Sequence, residues 1–137
     1  MQIPLFKAQT EWVKPEEFPD LRQADTIAID LETSDPDLKS RGSGSVIGNG
    51  KVVGISVATE GYQGYFPFDH EGGGNLEKSK VIQWFTDVCN SSSTKIFHNA
   101  MYDVCWIRAM GIKIKGDIVD TMIAASLVDE NRMRYDL

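Results

Sequence analysis

Residues 26–35, TIAIDLETSD, read as a buried strand whose end places two carboxylates, Asp30 and Glu32, two residues apart. On a strand, Ile27, Ile29 and Leu31 share one face, while Ala28, Asp30 and Glu32 share the other. Two carboxylates then sit side by side near the end of the strand. Like charges that close are unfavourable unless a cation or a hydrogen-bond network offsets them, and a hard divalent ion with oxygen ligands is the natural partner. A solvated strand end is the plain alternative, and spacing alone does not separate the two.

The remaining composition narrows the setting. A chain of 137 residues, 42% hydrophobic and 25% charged, fits one compact domain with a real core. No apolar run approaches the roughly 18 residues of a membrane span, and MQIPLFKAQTEW lacks the basic-then-apolar order of a signal peptide, so a cytosolic protein with no membrane role is expected. The net charge of -6 argues against gripping a duplex through basic residues. An acidic pocket can still receive phosphates when divalent cations stand between the anions. Cys89 and Cys105 lie far apart without a Cys-x-x-Cys pattern, which predicts reduced core thiols.

Along the chain, strands are predicted at 26–31, 51–59 and 64–70, the last two joined by a tight turn in EGYQG. Asn75 is the expected N-cap of a helix over about 76–89, where Val81, Ile82, Phe85, Val88 and Cys89 recur at helical spacing. A strand at 94–98 feeds a helix over about 100–110 that stops at Gly111. A short fifth strand in IKIKGDIVD precedes a helix over about 121–129 capped by Asp120. The order βββαβαβα implies antiparallel strands first and parallel ones later, hence an α/β fold with a mixed sheet and flanking helices. The Gly- and Ser-rich residues 40–51 are expected to form a mobile loop; they lack the Gly-Lys-Ser/Thr ending of a P-loop and lead into a strand.

A second constellation lies in IFHNAMYDVCWIRAMG, residues 96–111. Asn99 and Asp103 are one helical turn apart at the start of a helix. If its strand neighbours the first, that helix begins beside Asp30 and Glu32. An ordinary N-cap for Asn99 and a dipole-favoured first-turn position for Asp103 are the plain readings. His98 reads as a packed, hydrogen-bonded histidine ahead of a proton carrier, and Tyr102 and Trp106 as core ahead of aromatics that stack on a base. Asp120 with Thr121 reads as a cap ahead of a ligand, and Asp35 and Asp37, split by Pro36, as a turn.

IAIDLETSD, FHNAMYD and DTMIAASL, in this order, resemble the DEDD-type 3'-5' exonuclease domain with an RNase H-like fold, most closely the proofreading domain of phage and bacterial family A DNA polymerases. The resemblance runs from about residue 24 to the C-terminus. It implies two magnesium or manganese ions, with Asp30 shared by both, Glu32 also orienting the attacking water, and Asp103 at the second ion. Asn99 would contact the substrate near its terminal phosphate, and Leu31 and Thr33 are weaker candidates for contacts to the terminal nucleotide. One ion would activate water and the other stabilise the leaving 3' oxygen. Implied partners are a single-stranded DNA 3' end and the remainder of a polymerase, in a bacterial or phage-infected cytoplasm. RNA, as in RNase D-like exoribonucleases, is the rival substrate; a non-catalytic module binding single strands or a polymerase partner is the rival class. The family's third motif, Tyr-x-x-x-Asp or His-x-x-x-x-Asp, is not matched by the neighbouring Tyr135 and Asp136. Residues 1–137 therefore resemble a domain incomplete at its C-terminus, expected to be weak or inactive alone.

Overall fold

The computed structural model describes residues 12–136. Residues 1–11, most of the stretch read for a signal peptide, and Leu137 lie outside the described residues. The strands are β1 (Thr26–Ser34), β2 (Lys51–Thr59), β3 (Tyr62–Pro67), β4 (Thr94–Phe97) and β5 (Ile118–Asp120). The helices are α1 (Leu38–Arg41), α2 (Gly44–Ile47), α3 (Lys78–Asn90), α4 (Ala100–Ala109) and α5 (Thr121–Val128). One five-stranded sheet runs in the order β3-β2-β1-β4-β5. β1 pairs antiparallel with β2, and β2 with β3, whereas β1–β4 and β4–β5 are parallel. The mixed sheet is thus the one its pattern predicts, with β1 central.

The alternation in β1 sorts its side chains as expected: Ile27, Ile29 and Leu31 are buried, and Asp30 and Glu32 are exposed. The apolar row joins Ile55, Val57, Phe66 and Phe97 from neighbouring strands, and Val81, Phe85 and Val88 of α3 with Trp106 and Ile107 of α4 close over it. Burying a side chain of this size contributes about 1.5–3 kcal/mol, so this shared cluster is the main driving force for the sheet's orientation. Cys89 is buried in it, its thiol pushed up to about 12 by burial, and Cys105 is a free, partly buried thiol.

Three local expectations are corrected. Asn75 does not cap α3, whose N-cap position is Glu77; its side chain instead clasps the backbone of His70, accepting from the amide and donating to the carbonyl, both at 2.8 Å. β3 runs over Tyr62–Pro67, because the hairpin pairs Thr59 directly with Tyr62 and leaves a two-residue turn at Glu60 and Gly61. Residues 40–51 do not form an irregular loop. Helices α1 and α2 occupy much of the segment, pinned by Asp35, whose carboxylate accepts from the Gly44 amide at 3.1 Å, and by Asp37, which accepts from Asn49 Nδ2 at 2.6 Å.

Lys95 is a feature with no counterpart in the apolar pattern. It lies on the core face of β4 with 0% exposure, its Nζ donating to the carbonyls of Ser91 and of Lys115, the latter at 2.7 Å. It ties the carbonyl just after α3 to that of Lys115 ahead of β5, and burial holds its ammonium below the usual lysine range.

Candidate functional site

Because β1 and β4 are parallel neighbours, both point their C-terminal ends at the same sheet edge, and α4 starts there directly after β4. That brings Asp103 to Asp30 and Glu32. Asp103 sits in the first turn of α4 and is only 3% exposed. Its carboxyl is pushed up to about 7, first by burial and then by the negative charges of Asp30, Asp120 and Glu32. Its Oδ2 is buried with no hydrogen-bond partner among the described residues. A dipole-favoured residue at a helix start normally stays in water, so the plain reading of Asp103 does not account for this burial.

An orphaned carboxylate oxygen beside two further carboxylates suits a hard cation, which would relieve both the missing partner and the repulsion. The donor set is all oxygen, the chemistry magnesium and manganese prefer. Among the described residues no three acidic, His or Cys side chains already stand at ligand spacing, so the carboxylates are neighbours without being a closed cage.

Asn99 occupies the N-cap position of α4 and is exposed, but its side chain makes no capping bond. It adopts φ 66°, the only non-glycine residue in the left-handed region among the described residues, a conformation Asn tolerates and one that collects at functional sites. The capping falls to Asp120, which accepts from the amides of Asn99 at 3.0 Å and Ala100 at 2.9 Å while also capping α5 through Met122 at 2.9 Å. Its structural reading therefore stands, extended to a second helix. His98 is hydrogen-bonded between Thr121 Oγ1 at 2.9 Å and the Tyr135 carbonyl, a packed histidine as read.

Leu31 is 6% exposed, with its side chain in the core, so only its backbone faces outward. Thr33 follows a β-bulge: Glu32 pairs with Gly54 but Thr33 pairs with Val52, which leaves Val53 unmatched. Bulges re-aim side chains next to sites, and here Thr33 turns to meet Tyr102, hydroxyl to hydroxyl at 2.9 Å. Since Tyr102 donates to Asp35 Oδ2 at 2.8 Å, Thr33 is the donor of the pair. Tyr102 is thus more than core: it ties α4 to the end of β1 and, through Asp35, to α2. Sequence reasoning missed this chain of contacts, although Asp35 and Asn49 are of residue types whose side chains readily bond to nearby backbone.

Gly44 has no room for a side chain; a Cβ there would run into the Asn49 carbonyl and lie 2.8 Å from Asp35 Oδ1. Gly44→Ala is expected to cost about 1–3 kcal/mol, read by chemical denaturation, because the obstacle is backbone that cannot swing away. An unchanged midpoint would mean that the 35–49 segment is not fixed to the site.

The face of the sheet opposite the core carries a cavity of about 970 Å³, bordered by Ala28, Asp30, Ser56, Tyr65 and His98. Beside it α5 has no buried residue, and Ile123, Leu127 and Val128 are exposed at 57%, 82% and 88%. No helix among the described residues is long and apolar enough to cross a membrane.

A family model described as 3'-5' exonuclease matches residues 15–137. A DNA-directed DNA polymerase of Pseudomonas phage M6 is 36% identical over 150 aligned positions, covering 100% of this chain and 22% of the phage protein. The chain therefore spans about a fifth of that relative's length. Among solved structures, NrnC of Brucella melitensis with bound Mg2+ superposes with a TM-score of 0.57 at 19% identity, over 86% of this chain and 52% of that one. RNase D of Trypanosoma brucei does so with a TM-score of 0.57 at 18% identity, over 79% and 34%. At these identities the two structures show a shared fold, the mixed RNase H-like sheet.

Proposed function

The chain belongs to the 3'-5' exonuclease family of DNA polymerase A, and on that premise we propose that it carries a metal-dependent site for hydrolysing the terminal phosphodiester at the 3' end of single-stranded DNA. Its setting would be the proofreading part of a polymerase in a bacterial or phage-infected cytoplasm. The observation that carries the reading is Asp103: buried, with an unpartnered oxygen, beside Asp30 and Glu32. Asp30, Glu32 and Asp103 would hold Mg2+ or Mn2+, as two ions. When bound, such ions supply a water activated at neutral pH and charge stabilisation at the leaving 3' oxygen.

The chain's own residues supply the rest. Asn99, exposed and set in its left-handed turn, offers its amide to the terminal phosphate. Thr33 and the Leu31 backbone border the place of the terminal nucleotide, and Tyr102 keeps that strand end in register with α4. The apolar flank of α5 suits packing against the remainder of a polymerase. The fold shared with RNase D supports RNA as a second substrate class, to be separated by matched DNA and RNA oligonucleotides.

The test is direct. The 137-residue chain is expected to bind Mn2+, read by electron paramagnetic resonance, and Asp30→Ala to lose that binding. Trimming of a 5'-labelled single-stranded oligonucleotide from its 3' end is expected to be weak or absent, because no Tyr-x-x-x-Asp follows Val128 in these residues. A parent chain that binds no Mn2+, or 3' trimming that continues in Asp30→Ala, would end this reading.

A further inference from the structure

Glu32 has no side chain opposite it. Its antiparallel partner on β2 is Gly54, and on the same face the next row places Asp30 across from Ser56 and Ser56 across from Tyr65. A side chain on Gly54 would sit roughly 5 Å from that of Glu32, the spacing of directly opposed residues. That volume is already filled. A Cβ built on Gly54 would strike the Tyr65 hydroxyl and lie 2.6 Å from ring atoms Cε2 and Cζ. Tyr65 therefore leans along β3 from the row of Asp30 into the row of Glu32, and its phenol stands where a cross-strand neighbour of Glu32 would be.

The ring is held there from several sides. Its hydroxyl is hydrogen-bonded to His70 Nε2. The His70 backbone is clasped by Asn75 through two bonds of 2.8 Å. Trp12 packs edge-on to Tyr65, centroids 6.1 Å apart at 65°. Nothing in the core requires this arrangement, since Tyr65 lies on the cavity face with Asp30, away from the apolar cluster. Burial first, and then the negative charge of Glu32, raise the phenol above its ordinary range, so it keeps its proton.

From this juxtaposition we propose that Tyr65, buttressed by His70 and admitted by the missing side chain of Gly54, is a positioning residue that sets the place of the Glu32 carboxylate in the cation site. The assignment rests on the metal-binding reading above. A neutral phenol beside a carboxylate restricts where that carboxylate can swing, and groups that orient a metal ligand usually matter for affinity by 10-fold or more. The glycine follows from the same geometry: residue 54 must be bare so that the tyrosine of the next strand can reach over it.

The experiment is Mn2+ titration of the full 137-residue chain by electron paramagnetic resonance, with thermal midpoints measured on the same samples. Tyr65→Phe is expected to raise the Mn2+ Kd about 10-fold with its midpoint little changed. Gly54→Ala, which evicts the ring, should raise it at least as far. His70→Ala should reproduce the loss and His70→Gln, which keeps a hydrogen-bonding group near the phenol, should restore affinity. Tyr62→Phe, a phenol of the same strand on the opposite face, should leave the Kd unchanged. A Tyr65→Phe Kd within twofold of the parent overturns the assignment alone, as does a loss of affinity that only tracks a falling midpoint. A parent chain that binds no Mn2+ removes the metal reading and this assignment together.

Discussion

Asp103→Asn is expected to make the metal-free protein more stable at pH 8, by about 2–4 kcal/mol, while removing its response to Mn2+. The sign follows from the direction of the shift. The Asp103 carboxyl is raised to about 7 in the fold, by burial first and then by Asp30, Asp120 and Glu32, against an ordinary value near 4 in the unfolded chain. Between those values the folded state holds the proton and the unfolded state does not, so stability falls as pH rises across roughly 4 to 7. Above that window the ionised carboxylate sits buried with one oxygen unpartnered, at a cost of about 4 kcal/mol by the linkage relation at roughly 1.4 kcal/mol per pH unit.

An asparagine is neutral throughout. The slope should flatten, and the midpoint at pH 8 should rise by roughly 5–15 °C for a chain of this size. Bound cation relieves the same cost in the parent. Mn2+ at about 100 times its Kd should add about 2.7 kcal/mol to the parent and nothing to the variant. Thermal denaturation at pH 5 and pH 8, with and without Mn2+, reads all of this. An Asp103→Asn protein that is no more stable at pH 8, or that still gains from Mn2+, would show that Asp103 is an ordinary helix-start residue.

What the sequence disclosed divides along physical lines. The period-two pattern of TIAIDLETSD and the three- and four-residue spacing around Val81, Phe85 and Val88 reflect burial, which the whole sheet enforces. Both appear as read. The meeting of Asp103 with Asp30 and Glu32 was legible because a strand-then-helix unit parallel to β1 can deliver its helix start only to that edge. Buried polar groups were not legible. Lys95 occupies a core position by donating to the carbonyl of Ser91, four residues back, and to that of Lys115, twenty residues on, and no apolar or polar periodicity announces that. The glycines of 40–51 suggested freedom, yet Gly44 is there because Asn49 and Asp35 leave no space, which only the folded chain reveals. The bulge after Glu32 was invisible for the same reason: the unmatched residue, Val53, is as apolar as its neighbours.

The second large effect belongs to Asp120. One carboxylate accepts three backbone amides, from Asn99, Ala100 and Met122, and so holds the starts of both α4 and α5. Asp120→Ala is expected to cost about 2–4 kcal/mol, the sum of two helix caps at about 1–2 kcal/mol each. Burial alone would raise this carboxyl, but the amides of Ala100, Met122 and Asn99 outweigh it and hold it below the usual range. A depressed carboxylate contributes stability above the unfolded value near 4, and that contribution is lost as pH falls through the folded value. Asp103 and Asp120 therefore oppose each other, and the metal-free protein should be most stable in mild acid, between the window where Asp120 is lost and the window where Asp103 ionises. Asp120→Ala should remove the acid-side decline. It should also weaken Mn2+ binding, because the amides that fix Asn99 and the first turn of α4 lose their common anchor. Urea midpoints at pH 3, 5 and 8 distinguish the cases. A uniform loss at all three would mean that Asp120 acts through packing alone, and no loss would mean that water replaces its three bonds without penalty.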